Sequence, residues 1–147
     1  MTNLAENRRA FFDYQILEKF EAGIALYGFE VKAIKSGRVN IAGSFAIPKG
    51  EEIWLLNADV PPYQPKNTPS DYDPKRSRRL LLKKSEIKYL LGSINSRGLR
   101  LVPTKVYTKN NLIKLELGLG KVKKKADKRQ VLIKQAVERE IRGMKRI

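Results

Sequence analysis

The side chains able to do chemistry in this chain are cations and a few carboxylates. Its 147 residues include no cysteine and no histidine. That excludes disulfides, thiolate nucleophiles and Cys-based zinc sites, and it removes the usual agent of acid–base catalysis near neutral pH. Asp71 and Asp73 have the spacing of a metal pair, but they stand in a proline-rich stretch with no supporting ligand. Glu18 and Glu21 lie close together with nothing beside them to activate water, and Glu51 and Glu52 suit a turn. The LGLGK run at 117–121 lacks both the Lys-Ser/Thr and the helix that follow a phosphate-binding loop. No catalytic centre, metal or cofactor is expected.

The cations are more telling. The chain carries 31 Lys/Arg against 15 Asp/Glu, a net charge of +16. One cluster, Lys75, Arg76, Arg78 and Arg79, runs into Leu80, Leu81, Leu82, Lys83 and Lys84. Guanidinium forks suit phosphate oxygens and stack on bases; a charged linker whose leucines enter the core fits the same composition equally well. The other concentration is at the end. Residues 120–147 hold eleven Lys/Arg and three acids, a net +8 that is half of the total. Lys123, Lys124, Lys125, Lys128, Arg129 and Lys134 are among them, with Asp127 in their midst. Ile133, Val137, Ile141 and Met144 follow at helical spacing, a stripe that a purely solubilising extension does not need. The composition predicts a tail that is disordered when free and becomes helical on a polyanion. A phosphate backbone is the leading partner, with an anionic membrane surface behind it.

The elements that must hold these groups can be read from pattern. Residues 1–10 read as loose. A strand is expected from Phe11, with Phe12, Tyr14 and Ile16 on one face and a kink or bulge near Gly23. GFEVKAIKSGR reads as a short helix stopped at Gly37. A hairpin is expected around Ile47–Glu51 and another around Lys109–Asn111. Between them, residues 60–79 contain five of the seven prolines and read as a long, mobile loop. SEIKYLLGSINSRG is the clearest helix, with Ser85 as its cap, Ile87, Leu90, Leu91 and Ile94 as its stripe, and Gly98 as its stop. Phe11, Phe12, Tyr14, Phe45, Trp54 and Tyr107 fall in strand patterns and are mostly core by default, with one or two outward ones expected to be able to stack on bases. The sum is an α+β, mainly β fold: five or six antiparallel strands closing a small barrel, with two or three added helices. The body is assigned to residues 1–119 and the tail to 120–147. No run of 18 apolar residues and no signal-like N-terminus is present, so a soluble, cytoplasmic and monomeric protein is expected.

Several segments together resemble one family. They are NRRAFFDYQILEKFEAGIALYGFEVKAIKSGRVNIAGSFA, RSRRLLLKKSEI, LRLVPTKVYTKNNLIKLELGLGK and DKR at 127–129. The chain resembles the SmpB family, the SsrA-binding proteins that bind tmRNA in bacterial trans-translation. The resemblance implies an OB-like barrel that binds the tRNA-like end of tmRNA, with a tail that enters the vacant mRNA channel of a stalled ribosome and forms a helix there. By resemblance, Glu21, Leu81 and Lys83 fall at positions tied to tmRNA binding, with Tyr14 and Lys32 as neighbouring family positions. Arg76, Arg78 and Arg79 join them as basic candidates. Lys123, Lys124, Lys125, Asp127, Lys128, Arg129 and Lys134 would meet the ribosome, and Met144 falls at an apolar anchor. The chain departs from the family at Ala126, where His or Tyr is usual, at Val122, where Gly is common, and in lacking the proline-loop His. Peptide transfer would belong to the ribosome, so the resemblance implies no enzyme. The competing readings are a general OB module for single-stranded nucleic acid and a metal-dependent nuclease built on Asp71 and Asp73.

Overall fold

The computed structural model describes residues 2–124 and Ala136. In chain order these form β1 (Thr2–Glu6), α1 (Arg8–Asp13), β2 (Tyr14–Ile24), α2 (Gly28–Lys35), β3 (Phe45–Lys49), β4 (Glu52–Leu56), β5 (Arg78–Leu81), α3 (Lys84–Arg97), β6 (Arg100–Lys109) and β7 (Leu112–Val122). Every strand pairing is antiparallel. The sheet order is β1-β6-β3-β4-β5-β2-β7, and β7 also pairs with β6. That extra pairing closes six strands into a barrel. β1 lies outside the ring and covers the stretch of β6 that β3 does not reach.

Two turns set the register. Asn110 and Asn111 have φ of 52° and 64°, the left-handed backbone of a two-residue hairpin, which asparagine tolerates better than most residues. Lys109 therefore faces Leu112, and every pairing down to Arg100 with Gly120 follows, with one bulge near Thr104. Gly50, at φ 64°, turns β3 into β4 and pairs Ile47 with Trp54.

Strand alternation then fills the barrel. Leu115, Leu117 and Leu119 of β7 are fully buried, and Ile53, Leu55 and Leu80 meet them from β4 and β5. Ala33 and Ile34 of α2 and Leu90 of α3 complete the core. Each such leucine or isoleucine stabilises the fold by about 1.5–3 kcal/mol relative to exposure. The glycines of LGLGK are packing residues. A Cβ on Gly120 would lie 2.3 Å from the backbone oxygen of Gln15, where β2 crosses β7 beside its bulge.

The structure corrects several sequence expectations. Residues 2–6 are a strand with only Leu4 to betray it; they pair with Glu6 opposite Lys105 and Thr2 opposite Thr108, using β6's spare edge. Phe11 and Phe12 sit on the one-and-a-half turns of α1, braced by an Arg9–Asp13 ion pair of 3.0 Å, so the strand begins at Tyr14. Among the strand-pattern aromatics Phe11 and Phe45 are the outward ones, while Tyr107 is buried. The β2 bulge falls between Ile16 and Glu18, not at Gly23. The described residues thus hold seven strands and three helices. β7 runs through Val122, paired with Tyr14, which moves the end of the body past the expected boundary at residue 119.

Candidate nucleic-acid interface

The proline-rich loop is held by one buried acid. Glu30 on α2 is 0 % exposed, as is expected only of an acid with strong partners. Arg78 of β5 donates from Nε to Glu30 at 2.8 Å and Arg76 from its guanidinium at 2.5 Å; the Tyr72 hydroxyl lies 2.9 Å away. Arg78 Nη2 also donates to Glu30, at 2.5 Å, and to the Pro74 carbonyl at 3.0 Å, while Nη1 reaches the carbonyls of Ala58 and Arg76 at 2.9 and 3.1 Å. Burial alone would push the Glu30 carboxyl up. Hydrogen bonds from Arg76, the Tyr27 N–H and Arg78 outweigh it and hold the group below the usual carboxylate range. Burial and the same carboxylate push the Tyr72 phenol up to about 12.

This network corrects one of the predicted RNA contacts. Arg78 is 1 % exposed and its guanidinium is committed to Glu30 and to loop carbonyls, so it presents no cation at the surface. Alternation explains why: Arg78 and Leu80 point inward on β5, while Arg79 and Leu81 point outward. Arg76 is partly covered, with its guanidinium 4.1 Å from the centre of the exposed Tyr27 ring. Arg79 is exposed and only loosely paired with Glu52 at 3.5 Å.

The outward face of the same strands gathers a second group. β2 pairs Gly23 with Leu81 of β5 on one side and with Lys114 of β7 on the other. Glu21, two residues earlier, shares that face. Gly23 leaves the space between them bare; a Cβ there would sit 3.2 Å from the Leu81 Cβ. Leu81 is 47 % exposed, unusual for a leucine flanked by core residues. Beside it, Leu82, Ile87 and Leu91 with Arg79, Lys84 and Lys88 line an open groove of about 650 Å³.

Glu21 is oriented from β6. The Tyr107 hydroxyl donates to its Oε2 at 2.5 Å, and the Lys109 ammonium lies 3.5 Å from the same oxygen. The Tyr107 bond, followed by the Lys109 and Lys114 charges, holds the Glu21 carboxyl below its ordinary range against a smaller effect of burial. Burial and the Glu21 carboxylate push the Tyr107 phenol up. The acid is exposed rather than buried at an edge, and its Oε1 accepts no hydrogen bond in the described structure. It is therefore an ionised acceptor, fixed by one oxygen and open at the other, among lysines. Such a group can take an N–H from a base edge while the lysines take phosphates.

Other predicted residues lie elsewhere. Lys83 is exposed at the N-cap of α3, two residues beyond Leu81, and its N–H donates to Glu86 at 3.2 Å, so the cap is Lys83 and not Ser85. Lys32 is exposed on α2. Tyr14 is half-buried at the far end of β2, seven residues from Glu21 and so roughly 20 Å away at strand rise. Lys123 is there too: its N–H donates to Asp13 O at 2.9 Å and its ammonium to Phe11 O at 2.8 Å. Lys124 is exposed. Lys125, Asp127, Lys128, Arg129, Lys134 and Met144, and the tail helix expected around them, lie outside the described residues. Asp73 closes a local turn by accepting the Lys75 N–H at 2.9 Å, which is a structural use of half the supposed metal pair.

Comparison with known proteins bears on this arrangement. The family model described as SmpB protein matches residues 4–146. The chain belongs to the SmpB family. The SsrA-binding protein of Carboxydothermus hydrogenoformans is 51 % identical over 138 residues, covering 94 % of this chain and 92 % of the relative. That of Synechocystis sp. is 45 % identical over 144 residues, covering 97 % and 94 %. A solved structure described as "tmRNA-SmpB: a journey to the center of the bacterial ribosome" contains a chain 47 % identical to this one, with a TM-score of 0.65 over 82 % of this chain and 84 % of that one. The SmpB match takes in both the described barrel and the basic end of the chain. Sequence reasoning missed the Glu30 clamp and the bracing of Glu21 by Tyr107. The only sign of the first was an acid on the inward face of GFEVKAIK; the second depends on a β2–β7–β6 register that no local pattern carries.

Proposed function

We propose that this chain is a tmRNA-binding adaptor that delivers tmRNA to stalled ribosomes for trans-translation. The observation that carries the reading is the shared outward face of Glu21, Gly23 and Leu81, in a chain of the SmpB family. Glu21 accepts from an RNA base edge, Leu81 packs against a base or sugar, and Lys83, Lys109 and Lys114 meet phosphates, with Arg79 and Lys32 as outlying cations. Arg76 and Tyr14 support this surface from the loop and from the far end of β2. The tail, residues 125–147, reads the empty mRNA path and becomes helical there, with the DKR residues and Met144 as its contacts. The protein works in the cytoplasm as a monomer and performs no covalent step. Peptide transfer and tagging are left to the ribosome.

The face is tested by Glu21→Gln and Leu81→Ala in equilibrium binding to the tRNA-like domain of tmRNA. Each variant is expected to lose tenfold or more, since Glu21→Gln gives up a charge-assisted hydrogen bond and Leu81→Ala an apolar contact. The thermal midpoint should stay within a few degrees, because both side chains are exposed. Unchanged affinity in both variants would remove this face from the RNA contact.

A further inference from the structure

We infer that Lys123 is a positioning residue that clamps the root of the tail to helix α1, rather than a cation held out for the ribosome. This rests on the tail acting at the ribosome, and it assigns one residue of that arm to a different task. Antiparallel pairing of β2 with β7 ends at Tyr14 with Val122. The Lys123 N–H extends it by one bond, to Asp13 O at 2.9 Å. The ammonium then turns back and donates to Phe11 O at 2.8 Å. Both acceptors are carbonyls in the last turn of α1, which no helical N–H can satisfy. A lysine there completes the helix end and meets its partial negative charge.

The clamp ties the tail's starting point to rigid parts. Asn7, at the other end of α1, is 5 % exposed; its N–H donates to Thr104 O at 2.7 Å and its side-chain amide to Pro103 O at 2.9 Å. The root is therefore fixed through α1 to β6, at the opposite end of β2 from Glu21. An arm that must enter a channel while the barrel holds RNA needs a fixed point of departure. Lys123 supplies it, leaving the later cations to make ribosomal contacts.

A reversible crosslink separates this from a phosphate contact. The Lys123 N–H meets the Asp13 carbonyl at 2.9 Å, which holds the two Cα atoms roughly 5–6 Å apart, within disulfide range. The chain has no cysteine to interfere. Reconstituted tagging on stalled ribosomes is measured for Lys123→Met, Asp13→Cys and the Asp13→Cys/Lys123→Cys pair, oxidised and reduced. Lys123→Met is expected to lower tagging roughly tenfold or more, as misplacement of a remote group can, with tmRNA affinity and thermal midpoint unchanged. The oxidised pair should tag like Asp13→Cys, and reduction should bring it down to the level of Lys123→Met. Equal loss in both redox states would overturn the inference in favour of a direct cationic contact. Full tagging by Lys123→Met would overturn it as well. If unsubstituted protein and protein lacking residues 125–147 tag alike, the fault lies with the tail reading itself.

Discussion

Truncation after Lys124 is expected to abolish tagging on stalled ribosomes and to leave tmRNA binding largely intact. The cut removes eight Lys/Arg and three acids, so some non-specific electrostatic affinity is lost. That loss should stay within roughly tenfold at physiological salt and shrink as salt rises. Tagging should fall by at least a hundredfold, on the order of removing a required positioning element. The structure supplies the reason for separability. The tail begins beside Tyr14, and Glu21 and Leu81 occupy the other end of the same strand. It also dictates where to cut. Stopping at Gly120 would strip Lys121 and Val122 from their pairs with Gln15 and Tyr14 and remove the Lys123 clamp, so a folding defect would be mixed with a functional one. If truncation after Lys124 removes tmRNA binding, the arm is a primary RNA contact and the division of labour fails.

Arg78→Ala is expected to be the most destabilising single change among the loop cations, by about 3–5 kcal/mol, because it strands Glu30 in the interior with one of its two cationic partners gone. Chemical denaturation reads it directly. The Arg78→Met/Glu30→Leu double variant should recover a large part of the loss, since removing both buried charges avoids the unpaired one. Arg79→Ala, one residue along and exposed, should cost little. The same network sets a pH dependence. Glu30 in the folded protein lies below its ordinary value of 4.5. Its contribution is therefore present in full above about that pH and is lost as pH falls through the folded value. At the alkaline end Tyr72 acts in the opposite sense. Its folded value of about 12 exceeds 10.0, so its contribution holds below pH 10 and is lost as pH rises toward 12. Acid unfolding of Glu30→Gln should lack the first of these transitions. An unchanged acid limb in that variant would mean that the clamp does not govern acid stability.

Local chemistry explains which elements were legible. The Asn110–Asn111 and Gly50 turns, the α3 stripe and the GFEVK helix each announce themselves through residues a few positions apart, and all four form as read. The barrel follows, since antiparallel strands with short links and no spare edges have few other ways to close. β1 was illegible because a strand that only covers an edge needs backbone groups and no apolar pattern. Phe11 and Phe12 misled because aromatic residues signal strands on average, while here both belong to α1, which ends before β2 begins. The site was half visible. Resemblance singled out Glu21 and Leu81, but their convergence across Gly23 is a matter of register. Arg78 was misread because composition counts a cation without knowing which side of its strand it takes; the pairing of Trp54 with Arg79 turns Arg78 inward toward Glu30.

This face of the barrel is expected to recognise one structured RNA selectively. The most direct measurement is competition at physiological salt between the tRNA-like domain of tmRNA and single-stranded DNA of equal phosphate number. With two partners of equal charge, a specific site should separate them by roughly 10³-fold or more in favour of tmRNA, and Glu21→Gln should erase most of the gap. Equal affinity for the two, unmoved by Glu21→Gln, would reduce the protein to a general polyanion binder and contradict the account.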